Sequence, residues 1–413
     1  MTWGRDPFGK GGLLAGPLAQ PEAAAPLVLR LAVPSFYDNL SEVTGRFGAP
    51  QSSRLRGCWT PPRRGASSPG VKGGCTVKVK QSRGIGIVVV MLVGTALLVS
   101  CGKAPHEGEH YVLVAANNKL PYWQEANAGF SDAIRQLGFG VKAEMVGPDS
   151  YSPNDELSAF NQAVATHPSG ILVSPAVVDL FKNAISSAVK DGIPVICIDS
   201  DAPDSGRLMF IGTDNYRAGV SSGTRIAEAL HGAGDVIVVT VPGQYNLDER
   251  LRGAKDAFDR FPKIHYQVID DQGDSSKAND QISGLIGKKA KMDGILCLEA
   301  SGGPGAAEAL HRLNFDGKVT VVAMDKDPET MDFIASGTIL SSTAQKPYTM
   351  AFYGVRFLDD LHHNVVHEFA DWRTAPASPL PTLIDTGVGV VDKSNLQAYE
   401  DAAKGYTKPA GTM

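Results

Sequence analysis

The chain has 413 residues, of which 43% are hydrophobic, so it is long enough for two or three domains. Its formal net charge of −5 offers no basic footprint, which argues against a nucleic-acid partner. Beyond Cys101 no segment is apolar for long enough to cross a bilayer.

Residues 1–76 are rich in proline, glycine and arginine and show no sustained helical or strand period. Such a composition predicts no packed domain. Because a signal peptide normally starts close to its charged region, we hypothesise that translation begins near Val71, Val77 or Val79. The preceding residues would then be an artefact of the assigned start. The alternative is an unusually long cleaved leader.

Residues 77–100 have the features of a lipoprotein signal peptide. Positive charges precede an apolar run, Ile85–Leu98, which is too short to cross a bilayer comfortably. The run leads into Leu98-Val99-Ser100-Cys101, which has the form of a bacterial lipobox. We therefore predict a mature chain that begins at a lipidated Cys101 and is anchored to a membrane in the periplasm or at the cell surface. Residues 101–109 would form a polar tether.

After the tether, apolar strand-like runs alternate with segments of helical period. The first set predicts strands at Tyr111–Ala116, Val141–Val146, Gly170–Ser174 and Ile193–Asp199, with helices at Pro121–Leu137, Asn154–Thr166 and Val177–Lys190. The second set predicts strands at Asp235–Val241, His265–Asp270, Gly294–Glu299 and Thr320–Asp325, with helices at Leu247–Arg260, Ser276–Lys289 and Gly305–Leu313. This alternation predicts the α/β class, with two doubly wound parallel-sheet lobes. Ligands of such sheets bind beyond the carboxyl ends of the strands.

Two cysteines, Cys197 and Cys297, lie beyond the lipobox. Each belongs to an apolar run that is predicted to form a strand. Cysteine in such surroundings behaves as a small apolar side chain. We therefore predict two buried thiols rather than a disulfide, even in an oxidising compartment.

Aromatic, carboxylate and amide side chains follow the predicted strands at their carboxyl ends. The candidates are Asn118, Tyr122 and Trp123 after the first strand, Asp199 and Ser200 after the fourth, Arg250 in the second set, and Asp325 and Gln345 later in the chain. Aromatic rings pack on the C–H faces of a sugar, while carboxylate, guanidinium and amide groups bond to its hydroxyls. Each feature alone is more often core, helix cap or solvated face, but their recurrence at successive strand ends indicates a ligand site.

The order and spacing of these residues resemble the type I periplasmic substrate-binding proteins of sugar ABC transporters, in the ribose-binding class and in a lipoprotein form. The matching motifs are Leu120-Pro121-Tyr122-Trp123, Asp199, Ile211-Gly212-Thr213-Asp214-Asn215, Arg250 ahead of Gly253, Asp325 and Gln345. The resemblance covers residues 110 to 395. It implies that the matching positions contact a sugar.

The resemblance also implies how the lobes are assembled and used. The first lobe would comprise residues 110–213 and 346–384, and the second 214–345 and 385–395, joined by a three-segment hinge. The lobes would close on a monosaccharide or similar small polyol and deliver it to an ABC transporter permease. We expect a monomer with no cofactor. The alternative is a receptor for chemotaxis or quorum signalling with the same fold.

Three positions depart from the ribose-binding pattern. Leu120 stands where that class has a polar residue, and Ser200 followed by Asp201 stands where it has an arginine. The stretch Glu299–Gly305 replaces an asparagine. These departures leave the binding role in place but argue against ribose itself as the ligand.

Other chemistries are less well supported by the sequence. The glycines of Gly302–Gly305 lack the lysine and Ser/Thr of a phosphate loop, so they predict a tight turn into a helix. No cysteine or carboxylate in the sequence converges on His362, His363 and His367, so we predict no metal site. The sequence has no nucleophile elbow and no placed His–Ser or His–Cys pair, so we expect no enzyme. A sugar-responsive repressor would need a helix-turn-helix where the lipobox lies.

Overall fold

The computed structural model describes residues 106–363, 369 and 371–406. These residues form two α/β lobes, each built on a six-stranded sheet. The predicted signal peptide, Cys101 and His367 lie outside the described residues. Within the described ranges, no helix has both the length and the apolar character needed to cross a membrane.

The sheet of the first lobe is parallel throughout. Its strands are β1 (His110–Val114), β2 (Lys142–Val146), β3 (Gly170–Val173), β4 (Val195–Ile198), β5 (Met209–Gly212) and β11 (Leu383–Asp385). They lie in the order β11-β5-β4-β3-β1-β2. The inner strands β3 and β4 are buried along their whole length, as continuous apolar runs covered on both faces should be.

The sheet of the second lobe repeats this arrangement with one antiparallel edge. Its strands are β6 (Ala233–Thr240), β7 (Lys263–Asp270), β8 (Gly294–Cys297), β9 (Thr320–Met324), β10 (Ser341–Ala344) and β12 (Gly389–Asp392). They lie in the order β12-β10-β9-β8-β6-β7, and β12 runs antiparallel to β10. The prediction of two doubly wound lobes is confirmed.

Helices cover the faces of both sheets. In the first lobe they are α1 (Pro121–Leu137), α2 (Pro153–Ala165), α3 (Val178–Lys190) and α9 (Pro347–His363). In the second lobe they are α4 (Asn215–Ala229), α5 (Tyr245–Phe258), α6 (Ser275–Gly287), α7 (Gly302–Arg312), α8 (Pro328–Ser336) and α10 (Leu396–Tyr406). Helix α1 begins at a proline, which suits the first helical position, and buries one face that includes Trp123, Ala126 and Phe130.

The chain crosses between the lobes three times, after β5, after β10 and after β11. Hydrogen bonds join these crossing segments. The amide of Asp214 donates to Oδ1 of Asp385 at 3.0 Å, and the Thr386 hydroxyl donates to the Gly212 carbonyl at 2.9 Å. These bonds connect the crossing after β5 directly to the crossing after β11.

Both cysteines beyond the lipobox lie where the sequence predicts. Cys197 belongs to β4 and Cys297 to β8, so they occupy different lobes. Both are free and fully buried among apolar side chains. Burial raises the pKa of each thiol above its usual range. The prediction of two buried thiols is confirmed.

Candidate functional site

A cavity, here called the interlobe cavity, lies between the lobes at the carboxyl ends of their strands. This is the position at which open α/β sheets bind their ligands. Its polar and aromatic lining consists of Asn117, Tyr122, Trp123, Tyr151, Asp199, Gln244, Asn246, Arg250, Glu299, Ser301, Asp325 and Gln345. Both lobes therefore contribute side chains to one cavity.

The first lobe presents an aromatic pair and a carboxylate. Tyr122 and Trp123 occupy the first turn of α1, and their rings meet edge to face with centroids 5.3 Å apart. The Tyr122 hydroxyl donates to Oδ1 of Asp199 at 2.7 Å, and the Ser174 hydroxyl donates to Oδ2 at 3.0 Å. These bonds fix the Asp199 carboxylate directly after β4, with its remaining lone pairs available to a ligand.

The second lobe presents a buried arginine. Arg250 lies on α5 and is only 2% exposed. Its guanidinium donates to Oδ1 of Asn215 at 2.8 Å, to the Leu298 carbonyl at 2.8 Å and to Oε1 of Gln345 at 2.7 Å. Three acceptors on separate elements hold the planar group in one orientation, as Arg geometry favours.

Gln345 connects this arginine to the carboxylate of the second lobe. It follows β10 at a hinge crossing, and its Oε1 also accepts from the Thr213 hydroxyl at 2.9 Å. Its Nε2 donates to Oδ1 of Asp325 at 3.1 Å. Asp325 follows β9 as Asp199 follows β4, and both adopt a left-handed backbone, with φ of 66° and 61°. Asp tolerates this conformation better than most residues, and it aims each carboxylate past its strand end.

The two lobes contact each other across the cavity. Nδ2 of Asn246, from the second lobe, donates to Oδ2 of Asp199 at 3.2 Å. Lys326 and Glu125 form a partly buried ion pair between the lobes. These contacts show a closed arrangement of the two lobes. A ligand bound to one lobe would therefore lie close to side chains of the other lobe.

Burial raises the pKa values of three ionisable groups that line the cavity. It raises the pKa of Asp199, although Arg250 partly offsets the effect, and it raises the pKa of Asp325 to about 6. Burial and the Asp199 carboxylate raise the pKa of Tyr122 well above its usual range, so its hydroxyl remains a donor. The cavity therefore combines carboxyl acceptors with one fixed cation and neutral hydroxyl and amide donors.

Replacing Asp325 with asparagine should stabilise the protein at neutral pH. The folded-state pKa of about 6 exceeds the usual 3.8, so the folded state binds this proton more tightly than the unfolded state does. The contribution of this group to stability is present at low pH and is lost as pH rises from about 4 to 6, by about 3 kcal/mol. Urea unfolding should show that the free energy of unfolding of the variant rises relative to that of the parent as pH rises across that range. Asp332→Asn, at an exposed carboxylate on α8, is the matched control. A difference that does not vary with pH would contradict the argument.

Six of the predicted site residues come together in the cavity: Tyr122, Trp123, Asp199, Arg250, Asp325 and Gln345. Asn118 and Ser200 do not line it. The Asn118 amide instead donates to the Gly147 carbonyl at 2.7 Å, which ties the loop after β1 to the loop after β2. The Ser200 side chain is fully buried, and its hydroxyl has no hydrogen-bond partner among the described residues. Both residues follow strand ends, but their side chains lie within the first lobe and not in the cavity.

Six polar or aromatic lining residues were not among the predicted site residues: Asn117, Tyr151, Gln244, Asn246, Glu299 and Ser301. Asn246 lies one turn before Arg250 on α5, a spacing that places both on one helix face and was a usable signal. Glu299 follows β8, where its carboxylate accepts from the Ser301 amide at 2.6 Å. Tyr151 comes from the loop before α2 and had no signal in the sequence.

Glu299 has a buried carboxyl neighbour. Burial, together with the Glu299 carboxylate, raises the pKa of Asp271. Each of these two carboxyl groups therefore disfavours the charge of the other. Among the lining residues, carboxyl groups outnumber the one guanidinium, which disfavours an anionic ligand.

A protein-family model described as "Periplasmic binding protein domain" matches residues 111–363. Among curated proteins, the D-allose-binding periplasmic protein of Escherichia coli (strain K12) is 24% identical over 280 residues, which cover 65% of this chain and 88% of the relative.

Solved structures give the same assignment. A sugar-binding protein of a sugar ABC transporter from Bacillus halodurans aligns with a TM-score of 0.61 and 32% identity, covering 71% of this chain and 100% of that one. An arabinose-binding protein from Geobacillus stearothermophilus aligns with a TM-score of 0.59 and 31% identity, covering 70% and 99% respectively.

Proposed function

Since this chain belongs to the family defined by the periplasmic binding protein domain, we propose that its interlobe cavity captures a neutral monosaccharide or a similar small polyol for an ABC transporter. The observation that carries the proposal is the joint lining of the cavity by both lobes, with an aromatic pair facing a network of carboxylate, guanidinium and amide groups. A binding role without catalysis is consistent with the relatives, whose names describe sugar-binding proteins.

The chemistry of the lining supports a neutral polyhydroxylated ligand. Tyr122 and Trp123 offer apolar faces for the C–H surface of a sugar ring. Asp199 and Asp325 accept hydrogen bonds from hydroxyls, and Arg250 donates to ring or hydroxyl oxygens. An anion would have to offset the buried carboxyl groups, which is costly in a desolvated site. The arabinose-binding and D-allose-binding relatives make pentoses and hexoses the first candidates.

Ligand contacts to both lobes would favour the closed arrangement. A ligand shifts such an equilibrium only by its differential affinity for the two states. A sugar held between Asp199 on one lobe and Asp325 on the other contacts both lobes fully only when they are closed. The closed form would then be the one that the permease recognises, as hinge closure in this kind of fold allows.

A thermal-shift screen of the purified protein tests the proposal. The panel should contain pentoses, hexoses, disaccharides, polyols and quorum-signal furanosides, with amino acids, nucleosides and inorganic anions as the comparison set. A ligand at a hundred times its Kd stabilises the folded state by about 2.7 kcal/mol, which is a readily measured rise in Tm. We expect a neutral sugar or polyol to give the largest rise. A rise caused only by amino acids, nucleosides or anions would overturn the sugar assignment, and a furanoside signal alone would favour the receptor function.

The proposed lipid anchor at Cys101 can be tested separately. In a bacterial host, Cys101→Ser should abolish incorporation of labelled fatty acid and release the protein from the membrane fraction, because the lipobox cysteine supplies the acylated sulfur. Cys297→Ala is the matched control, since this buried thiol belongs to the mature chain and its replacement should leave labelling unchanged. Labelling that persists in Cys101→Ser would contradict the lipoprotein assignment.

A further inference from the structure

Two histidines and two carboxylates converge at the base of the first lobe, away from the interlobe cavity. This His–carboxylate cluster consists of His106, Glu109, Asp359 and His363. The first two precede β1, and the other two lie in the last turns of α9. The sequence analysis found no carboxylate near the histidines of this helix. That premise was wrong for His363, because the fold brings Glu109 to it from 254 residues away.

The four side chains place potential ligand atoms close together. The candidate atoms, one from each residue, all lie within 4.8 Å of one another. Nδ1 of His106 lies 3.1 Å from Oε2 of Glu109 and 3.3 Å from Oδ1 of Asp359, and Nε2 of His363 contacts Oε1 of Glu109. Ligands of a tetrahedral zinc ion, bonded at about 2.0–2.1 Å, are separated by about 3.3 Å. The cluster therefore needs only small side-chain movements to reach that geometry.

A second observation points to a ligand. Asp359 is 4% exposed, and its Oδ1 accepts no hydrogen bond from any described residue, although it faces the other members of the cluster. The nearest cluster nitrogen is Nδ1 of His106 at 3.3 Å, which makes no hydrogen bond to it. A buried carboxylate oxygen without a hydrogen bond is costly, and a cation at that point would remove the cost. The Tyr111 hydroxyl, fully buried beneath the cluster, donates to Oε2 of Glu109 at 3.1 Å. Such an outer hydrogen bond orients a metal-binding carboxylate.

We propose that the His–carboxylate cluster binds a zinc ion. Imidazole nitrogen and carboxylate oxygen are ligands that zinc favours, and four of them satisfy its tetrahedral coordination. Two carboxylates also balance the charge of a divalent cation. The ion would fasten the segment before β1 to the end of α9, which are otherwise far apart in the chain. It would hold the end of the tether, which contains His106 and Glu109, to the first lobe and would not be part of the sugar site.

Isothermal titration with zinc chloride tests the site, using the full chain purified without a polyhistidine tag and stripped with chelator. We expect the parent to bind one more equivalent of zinc than His363→Ala, and to show a rise in Tm that this variant lacks. Glu109→Gln preserves side-chain shape, so it should fold even if His363→Ala does not. It should bind the ion at least tenfold more weakly.

His311→Ala is the matched control. His311 pairs with Asp316 at 2.8 Å in the other lobe, an exposed pair that offers two ligands where the cluster offers four. This variant should retain the zinc stoichiometry and the Tm response of the parent. Cobalt chloride gives an independent readout, because a four-coordinate cobalt site produces intense visible absorption that both cluster variants should lose. Equal zinc binding by the parent, Glu109→Gln and His363→Ala, or no binding by the parent, would overturn the proposal.

Discussion

Replacing Arg250 with methionine should lower the free energy of unfolding by about 3–5 kcal/mol and remove measurable sugar binding. Arg250 is buried and donates hydrogen bonds to three acceptors, two of which are the side chains of Asn215 and Gln345. Its positive charge also offsets the burial of Asp199 and Asp325. Methionine leaves these acceptors unpaired and the carboxylates uncompensated, which is among the costliest changes in a protein interior.

Urea unfolding and sugar titration measure the two effects, and the same helix supplies the control. Arg252 lies two residues further on, is about half exposed and pairs with Glu249 at 2.6 Å. Arg252→Met should cost less than about 1 kcal/mol and leave the sugar Kd unchanged, because exposed ion pairs contribute little. Equal stability losses in the two variants would mean that the buried network contributes nothing beyond an ordinary surface arginine.

Replacing Trp123 with alanine should affect both stability and binding. The indole is 4% exposed and packs with the core of the first lobe while also lining the interlobe cavity. Removing it should cost about 3–5 kcal/mol of stability through lost burial and the void left behind. It should also weaken sugar binding by about 1–3 kcal/mol, because the ring supplies the apolar surface against which the sugar packs.

A second tryptophan separates the two effects. Trp372 also packs against the core of the first lobe, but it lies in the short 3₁₀ helix Trp372–Thr374 and does not line the cavity. Trp372→Ala should lower stability by about 1–2 kcal/mol and leave the sugar Kd of the folded protein unchanged. If both alanine variants bind the sugar as the parent does, Trp123 is a core residue only and the aromatic part of the site must be reassigned.

The sequence predicted the architecture well because the signals that specify it are local. Continuous apolar runs become inner strands buried on both faces, and helical spacing with an initial proline gives Pro121–Leu137 the bounds that the structure has. Positions directly after strands were also informative. Asp199 and Asp325 follow strands that occupy equivalent places in the sheets of the two lobes, and both residues line the same cavity.

The sequence did not predict the contacts of side chains that have more than one possible hydrogen-bond or ion-pair partner nearby. Asn118 follows a strand end, but its amide finds the Gly147 carbonyl instead of the cavity. Asp201, which the spacing also places after β4, pairs with Arg207. Neither outcome is encoded in strand and helix periods, because each depends on a partner brought close by the fold.

Contacts between residues that are far apart in the chain also could not be predicted from the sequence. Glu109 and His363 meet because the segment before β1 packs against the end of α9, and no local pattern links them. The hydrogen-bond partners of Arg250 likewise come from three separate parts of the chain, the start of α4, the segment after β8 and the residue after β10. Single-sequence reasoning identified the arginine but not the network that orients it.

The most direct test of the central claim is isothermal titration of the purified protein with the sugar that gives the largest thermal shift. We expect one sugar bound per chain, no detectable heat with Arg250→Met, and parental affinity with Arg252→Met. The sugar-binding function is contradicted if no neutral sugar or polyol binds while an anion or amino acid does, or if Arg250→Met, shown to be folded, binds the sugar as tightly as the parent.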